Sequence, residues 1–150
     1  MKNRVKKLDK IVSLTKSEEQ RLGGEIARSR SVYDDHMARL GELNAYRQNY
    51  LERSRTLTKA TSAHWKDYQS FMHRLDNAVS SQQQIVKDSE MNLEKHRQRW
   101  HAKRQRLDSL QRVRDSYRSE EEAHRERLLQ RSIDDMPPRP DMYSDKEEDD

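Results

Sequence analysis

Apolar side chains recur along this chain at steps of three, four and seven. The clearest row is Trp65, Met72, Val79, Val86, Leu93, Trp100, Leu107, Arg114, Glu121 and Leu128, of which eight of ten are apolar. A row with that repeat runs along one stripe of an α-helix, and a sustained heptad marks a coiled coil. The companion row, three residues on, reads Tyr68, Leu75, Gln82, Ser89, His96, Lys103, Leu110, Tyr117, His124 and Arg131, and only four of its members are apolar. The seam is therefore adequate without being tight. The repeat predicts a helix over about 63–135, roughly 110 Å long at ~1.5 Å per residue.

The first third of the chain carries the same rhythm. Val5, Leu8, Val12, Leu22, Ile26, Tyr33, Leu40, Leu43, Tyr50 and Leu57 are spaced by threes, fours and sevens, apart from a step of ten between Val12 and Leu22, with polar gaps at Thr15, Glu19, Ser29 and His36. They predict a helix over about 3–56. Gly23 and Gly24 lie inside it. Each glycine costs about 1 kcal/mol relative to alanine in a helix interior, so this spot is expected to be soft or bent.

Between the two helices lies Thr56-Leu-Thr-Lys-Ala-Thr-Ser62. Threonine and serine compete for backbone hydrogen bonds, and Thr61 or Ser62 can cap the helix that follows. A break at 57–62 is short enough to favour an antiparallel hairpin. The fold class expected is all-α: two long helices in an antiparallel coiled coil over residues 1–136. Folding back places Val5 near residue 114 and leaves Asp115–Asp135 as an overhang with no partner in the chain. After Met136, Pro137-Pro-Arg-Pro140 stops the helix, and residues 137–150 form an acidic tail expected to be disordered.

Composition removes most alternatives. Only 31% of the residues are hydrophobic and 39% are charged, too few apolar groups for a sizeable globular core. With 3 Gly and 3 Pro and a mixture of helix formers, the chain reads as a hairpin rather than a disordered polymer. It has no cysteine, which excludes disulfides, thiolate catalysis and most structural zinc sites. No apolar h-region follows the basic N-terminus, and no stretch approaches a membrane span of about 18 apolar residues. A soluble cytoplasmic protein is expected.

Net charge is +4, and the tail from Pro137 contributes −4, which leaves +8 on residues 1–136. A basic body of this size can meet nucleic acid, an anionic membrane or an acidic protein surface. Acidic and basic residues interleave through most of it, which is the pattern of a solvated helix face. The strongest basic run is Lys95 to Arg106. Its Trp100 falls on the strong heptad row, so it belongs to the seam rather than to a base-stacking surface.

Catalytic chemistry finds no setting. There is no glycine-rich phosphate loop. None of the histidines at 36, 64, 73, 96, 101 and 124 has a partner at i+4 for zinc, and all six are expected to face solvent. Carboxylates on two helices lack a cleft that would tune them. The chain is read as a non-enzyme with no cofactor and no metal.

Tyr46, Tyr50, Trp65, Tyr68 and Phe71 flank the break, so folding back gathers them at the tip. Phe71, Ala78 and Ile85 form a second stripe beside the seam, more than one partner helix covers. Spacing alone leaves two readings open: a widened core at the tip, or an exposed apolar patch used for docking.

Three patches resemble the FliJ family, the small export protein of the bacterial flagellar type III secretion apparatus. They are Leu43-x-x-Tyr46-x-x-x-Tyr50; Trp65-x-x-Tyr68-x-x-Phe71-x-x-x-Leu75-x-x-Ala78-Val79-x-x-Gln82; and Arg97-x-x-Trp100-x-x-Lys103-Arg104-x-Arg106-Leu107-x-x-Leu110. A weaker match is Gln130-x-x-x-Asp134-Asp135. The resemblance covers roughly residues 4–136. It implies an antiparallel coiled coil similar to the central stalk of rotary ATPases, set in the hexameric export ATPase ring. It also implies contact with the cytoplasmic domain of the export gate protein and with export chaperones. The protein would be cytoplasmic and peripheral at the cytoplasmic face of the inner membrane, with no direct membrane insertion. The family's gate-docking positions carry over onto Leu43, Tyr46, Tyr50, Phe71, Leu75 and Ala78. Leu129, Arg131 and Asp135 depart from the usual C-terminal run, and the Pro-rich acidic tail matches no family feature. The alternatives are an injectisome-type stalk, a nucleic-acid-binding coiled coil and a passive spacer.

Overall fold

The computed structural model describes residues 2–56 and 62–138. Helix α1 spans Lys2–Thr56 and helix α2 spans Ser62–Asp134, and the described residues hold no strand. The predicted break at 57–62, with Leu57 and the cap at Thr61, lies outside the described residues except for Ser62, which opens α2; so does the tail from Arg139 onward.

The termini follow from local chemistry. Arg53 and Arg55 sit in the last turn of α1 and Arg131 in that of α2, where cations oppose the negative end of the helix dipole. At the end of α2 the Asp135 N–H donates to the Arg131 carbonyl at 2.9 Å and the Met136 N–H to that of Ile133 at 3.3 Å. Pro137 lacks an N–H and disfavours helical backbone at the residue before it, so the helix goes no further.

The chain divides into a larger unit, residues 13–108, and a smaller one, residues 1–12 with 109–150. In the larger unit the two helices run antiparallel. Arg47 meets Asp76, Gln82 meets His36, and Trp100 meets Glu19, so contact positions fall along α1 as they rise along α2. Burial alternates by threes and fours on both helices. On α1 the covered positions include Thr15, Glu19, Leu22, Ile26, Ser29, Tyr33, His36, Leu40 and Leu43; on α2 they include Met72, Leu75, Val79, Gln82, Val86, Ser89, Leu93, His96, Trp100, Lys103 and Leu107. Both α2 rows face α1. Three polar members of the companion row are not gaps: Gln82 meets the His36 carbonyl, His96 lies beside Glu25, and Lys103 pairs with Glu18. Leu93 and Leu107 are the most deeply buried apolar residues.

In the smaller unit the same antiparallel pairing holds. Val5 and Val12 are buried. Asp9 accepts from Arg118 at 3.0 Å and lies 3.8 Å from Arg114, and the Arg4 guanidinium lies over the Tyr117 ring. This corrects the expected overhang: α1 starts at Lys2, so pairing continues through Tyr117 and Arg118. The uncovered stretch is the later one, with every residue from His124 to Pro138 exposed.

Gly23 and Gly24 do not interrupt α1, which is continuous with no positive φ at any glycine. Gly23 is half-buried, and a Cβ there would meet the Trp100 indole at 3.7 Å. Seam packing on both sides, at Thr15, Leu22 and Ile26, outweighs a propensity cost of about 1 kcal/mol per glycine.

Candidate functional site

The aromatic residues flanking the break form one cluster in the larger unit. Tyr50 stacks on Tyr68 with centroids 5.1 Å apart and rings within 6° of parallel, and it lies 4.4 Å from Phe71. Tyr46 meets Phe71 edge-on at 6.1 Å. Such pairs add about 0.5–1.5 kcal/mol each beyond area burial. Arg47 pins the flank by donating Nε–H to Asp76 at 2.6 Å. The open question of widened core or exposed patch resolves into a division of labour among residues. Tyr50, Tyr68 and Phe71 are half-buried and hold the helices together; Tyr46 (54% exposed) and Ala78 stand open on the surface.

Of the six positions carried over for gate docking, Leu43, Tyr50 and Phe71 are half-buried, Tyr46 and Ala78 are exposed, and Leu75 is buried at 7%. Leu75 therefore packs in the seam and can only support a docking face from beneath. An open groove of about 550 Å³ beside the cluster is lined by Asp35, Ala38, Arg39, Glu42, Leu43 and Tyr46. Ile85, one heptad on from Ala78, and Val32, two heptads before Tyr46, are also exposed.

Of the seven seam residues, Val86, Leu93 and Leu107 are buried, and Met72, Val79 and Trp100 are half-buried. Trp65 lies outside the seam: it is 54% exposed and stacks on Tyr68 at 5.6 Å. It sits in the first turn of α2, close to where α1 ends at Thr56. The histidines also divide. His64, His73, His101 and His124 are exposed, but His36 and His96 occupy the seam. The His96 Nδ1 is 3.4 Å from Glu25. Sequence reading missed these two because it placed polar residues outside the packed face, although both fall on heptad positions.

The basic run is paired only in part. Lys103 bonds Glu18, and Arg104 lies 3.7 Å from Asp108 and 3.9 Å from Glu19. The hydrogen bond and charge of Lys103 hold the Glu18 carboxyl below its ordinary pKa. No group of three or more metal-capable side chains exists among the described residues, and no helix there is long and apolar enough to cross a membrane.

In the smaller unit, Leu128, Leu129, Ile133 and Met136 are 51–66% exposed. Leu129 and Ile133, at i and i+4, share one helix face, and Met136 follows just past the end of α2. This stripe is a second uncovered apolar surface.

Residues 4–138 match the profile of the family described as flagellar FliJ protein. No curated protein and no solved structure matches the chain.

Proposed function

From the premise that this chain belongs to the FliJ family, with its non-enzymatic, stalk-like coiled-coil role in flagellar type III export, we propose that it couples two partners through two separate surfaces. The first is the tip face built on Leu43, Tyr46, Tyr50, Phe71, Leu75 and Ala78, which docks the cytoplasmic domain of the export gate protein. The second is the apolar stripe Leu129, Ile133 and Met136, which engages the hexameric export ATPase. Export chaperones bind in turn, and the protein works in the cytoplasm, at the cytoplasmic face of the inner membrane.

The observation that supports this most is the exposure of Tyr46 and Ala78 around half-buried Phe71. An aromatic ring left 54% open beside an apolar cluster contributes little to folding. Buried on binding, it contributes much, since aromatic anchors dominate interface energetics. The apolar side chains at the end of α2 argue likewise: Leu129, Ile133 and Met136 are 60–66% exposed, and such side chains suit a partner's groove. Neither surface needs chemistry, because the ATPase supplies the energy.

The test is co-purification of the full chain with the purified export ATPase and, separately, with the soluble gate domain. Capture of both is expected. Capture of neither would remove the reading.

A further inference from the structure

A groove on the larger unit takes no part in that reading. It has a volume of about 550 Å³, opens to solvent, and is lined by Leu22, Arg99, Ala102, Lys103 and Arg106. Lys95, Arg99, Ala102 and Arg106 follow one another at steps of four, three and four along α2, and all four are exposed. They form one face bearing three cations with a small side chain between them.

The two banks differ in charge balance. On α1 the nearby carboxylates are paired: Glu18 with Lys103, and Glu25 with Arg21 at 2.8 Å. On α2, Lys95, Arg99 and Arg106 hold no ion pair among the described residues, whereas Arg97 and Arg104 do. Like charges at i, i+4, as in Lys95 and Arg99, repel each other. Carboxylates arriving from outside would turn that repulsion into attraction.

We propose that this groove seats an acidic amphipathic helix of a partner protein, laid as a third strand against α1 and α2. An inward apolar side chain rests over Ala102 beside the alkyl stems of Arg99, Lys103 and Arg106, which cover apolar area while their charged heads stay in water. Carboxylates on its flanks meet Lys95, Arg99 and Arg106. Nucleic acid fits less well. Three cations span only about 16 Å of helix, too few for a phosphate backbone to dominate. The nearest large ring, Trp100, is half-buried and bonded to Glu19, so it offers no platform for a base. This inference does not rest on the gate or ATPase contacts.

The test titrates the full-length chain into a labelled synthetic peptide of about three heptads with leucine inward and glutamate on both flanks. Binding is read by fluorescence anisotropy at ~0.15 M salt. Saturable binding is expected. Arg99→Glu with Arg106→Glu should weaken it at least about tenfold. Ala102→Trp, which changes no charge, should weaken it too by filling the seat. Lys66→Glu with Arg74→Glu, the same charge change elsewhere on the larger unit, should leave it within about twofold. All these sites are exposed, so circular dichroism should stay unchanged; if it does not, the glutamine versions replace the glutamates. No binding, or equal loss with the control pair, would overturn the proposal. So would displacement of the peptide by a DNA duplex of equal charge at lower concentration.

Discussion

Trp100 donates its indole N–H to the Glu19 carboxylate at 2.9 Å. The glutamate stands where the heptad of α1 calls for an apolar side chain, and its side chain is only 13% exposed. A charge so placed is tolerable because the indole and the nearby Arg104 supply its partners. The half-buried Gly23 beside the ring leaves room for it. Polar seam residues of this kind favour one register of two helices over its neighbours, at some cost in stability.

Trp100→Phe removes that donor while keeping an aromatic ring. It should destabilise the chain by about 1–2 kcal/mol, the usual cost of leaving a buried acceptor short of a partner. Glu19→Gln keeps an acceptor and should cost less. Urea unfolding followed by circular dichroism at 222 nm compares the two; equal losses would mean that the bond contributes nothing.

Gln82 is buried at 5% and donates to the His36 carbonyl at 3.0 Å. A helix carbonyl keeps its own intrahelical donor, so Gln82→Leu strands no acceptor and fills the seam. Stability should rise, by about 1 kcal/mol, while register becomes less defined. Thermal melts and sedimentation velocity read the two effects. A lower melting temperature with an unchanged sedimentation profile would contradict this.

The repeat along α2 made the helices, their antiparallel pairing and most of the buried row readable from sequence, because period alone dictates which side chains share a face. What it could not supply was the partner of each polar position. Gln82, His96 and Lys103 looked like weaknesses in one row, yet each meets a group on α1 that only the register brings opposite. Trp65 misled for the converse reason: it keeps the heptad but lies close to the end of the partner helix. The aromatic cluster flanking the break was legible in the sequence, and the six positions carried over for gate docking came from the family resemblance. Which of those six residues stands open, and which, like Leu75, is covered, depended on how the rings of Tyr50, Tyr68 and Phe71 stack.

Gly24 and Gly41 have open space where a Cβ would go, and neither has a positive φ. Gly24→Ala and Gly41→Ala should each stabilise by about 0.5–1 kcal/mol and raise the melting temperature. Gly23→Ala brings its Cβ to 3.7 Å from Trp100, an ordinary contact, and should gain no more than the other two. A loss at Gly24 or Gly41 would show that pliability there is built into the fold.

The Lys103 contact lowers the pKa of Glu18. A carboxyl with a depressed folded pKa contributes stability above its unfolded pKa and loses it as pH falls through the folded value. Glu18→Gln should therefore lower the melting temperature slightly at pH 7. The gap from wild type should close as pH falls below about 4. Glu18 is solvent-exposed, so the effect should also shrink in 1 M salt. A gap that persists at low pH would assign it to packing instead.

The account rests above all on the exposed part of the tip face. Isothermal titration of the soluble gate domain into the wild-type chain and into a Tyr46→Ala/Ala78→Glu variant tests it most directly, with helicity and melting temperature checked for both. Both substituted residues are exposed, so the variant should fold as the wild type does, keep its affinity for the export ATPase, and bind the gate domain at least about tenfold more weakly. A variant that melts normally and binds the gate domain as tightly as wild type would contradict the docking role of this face.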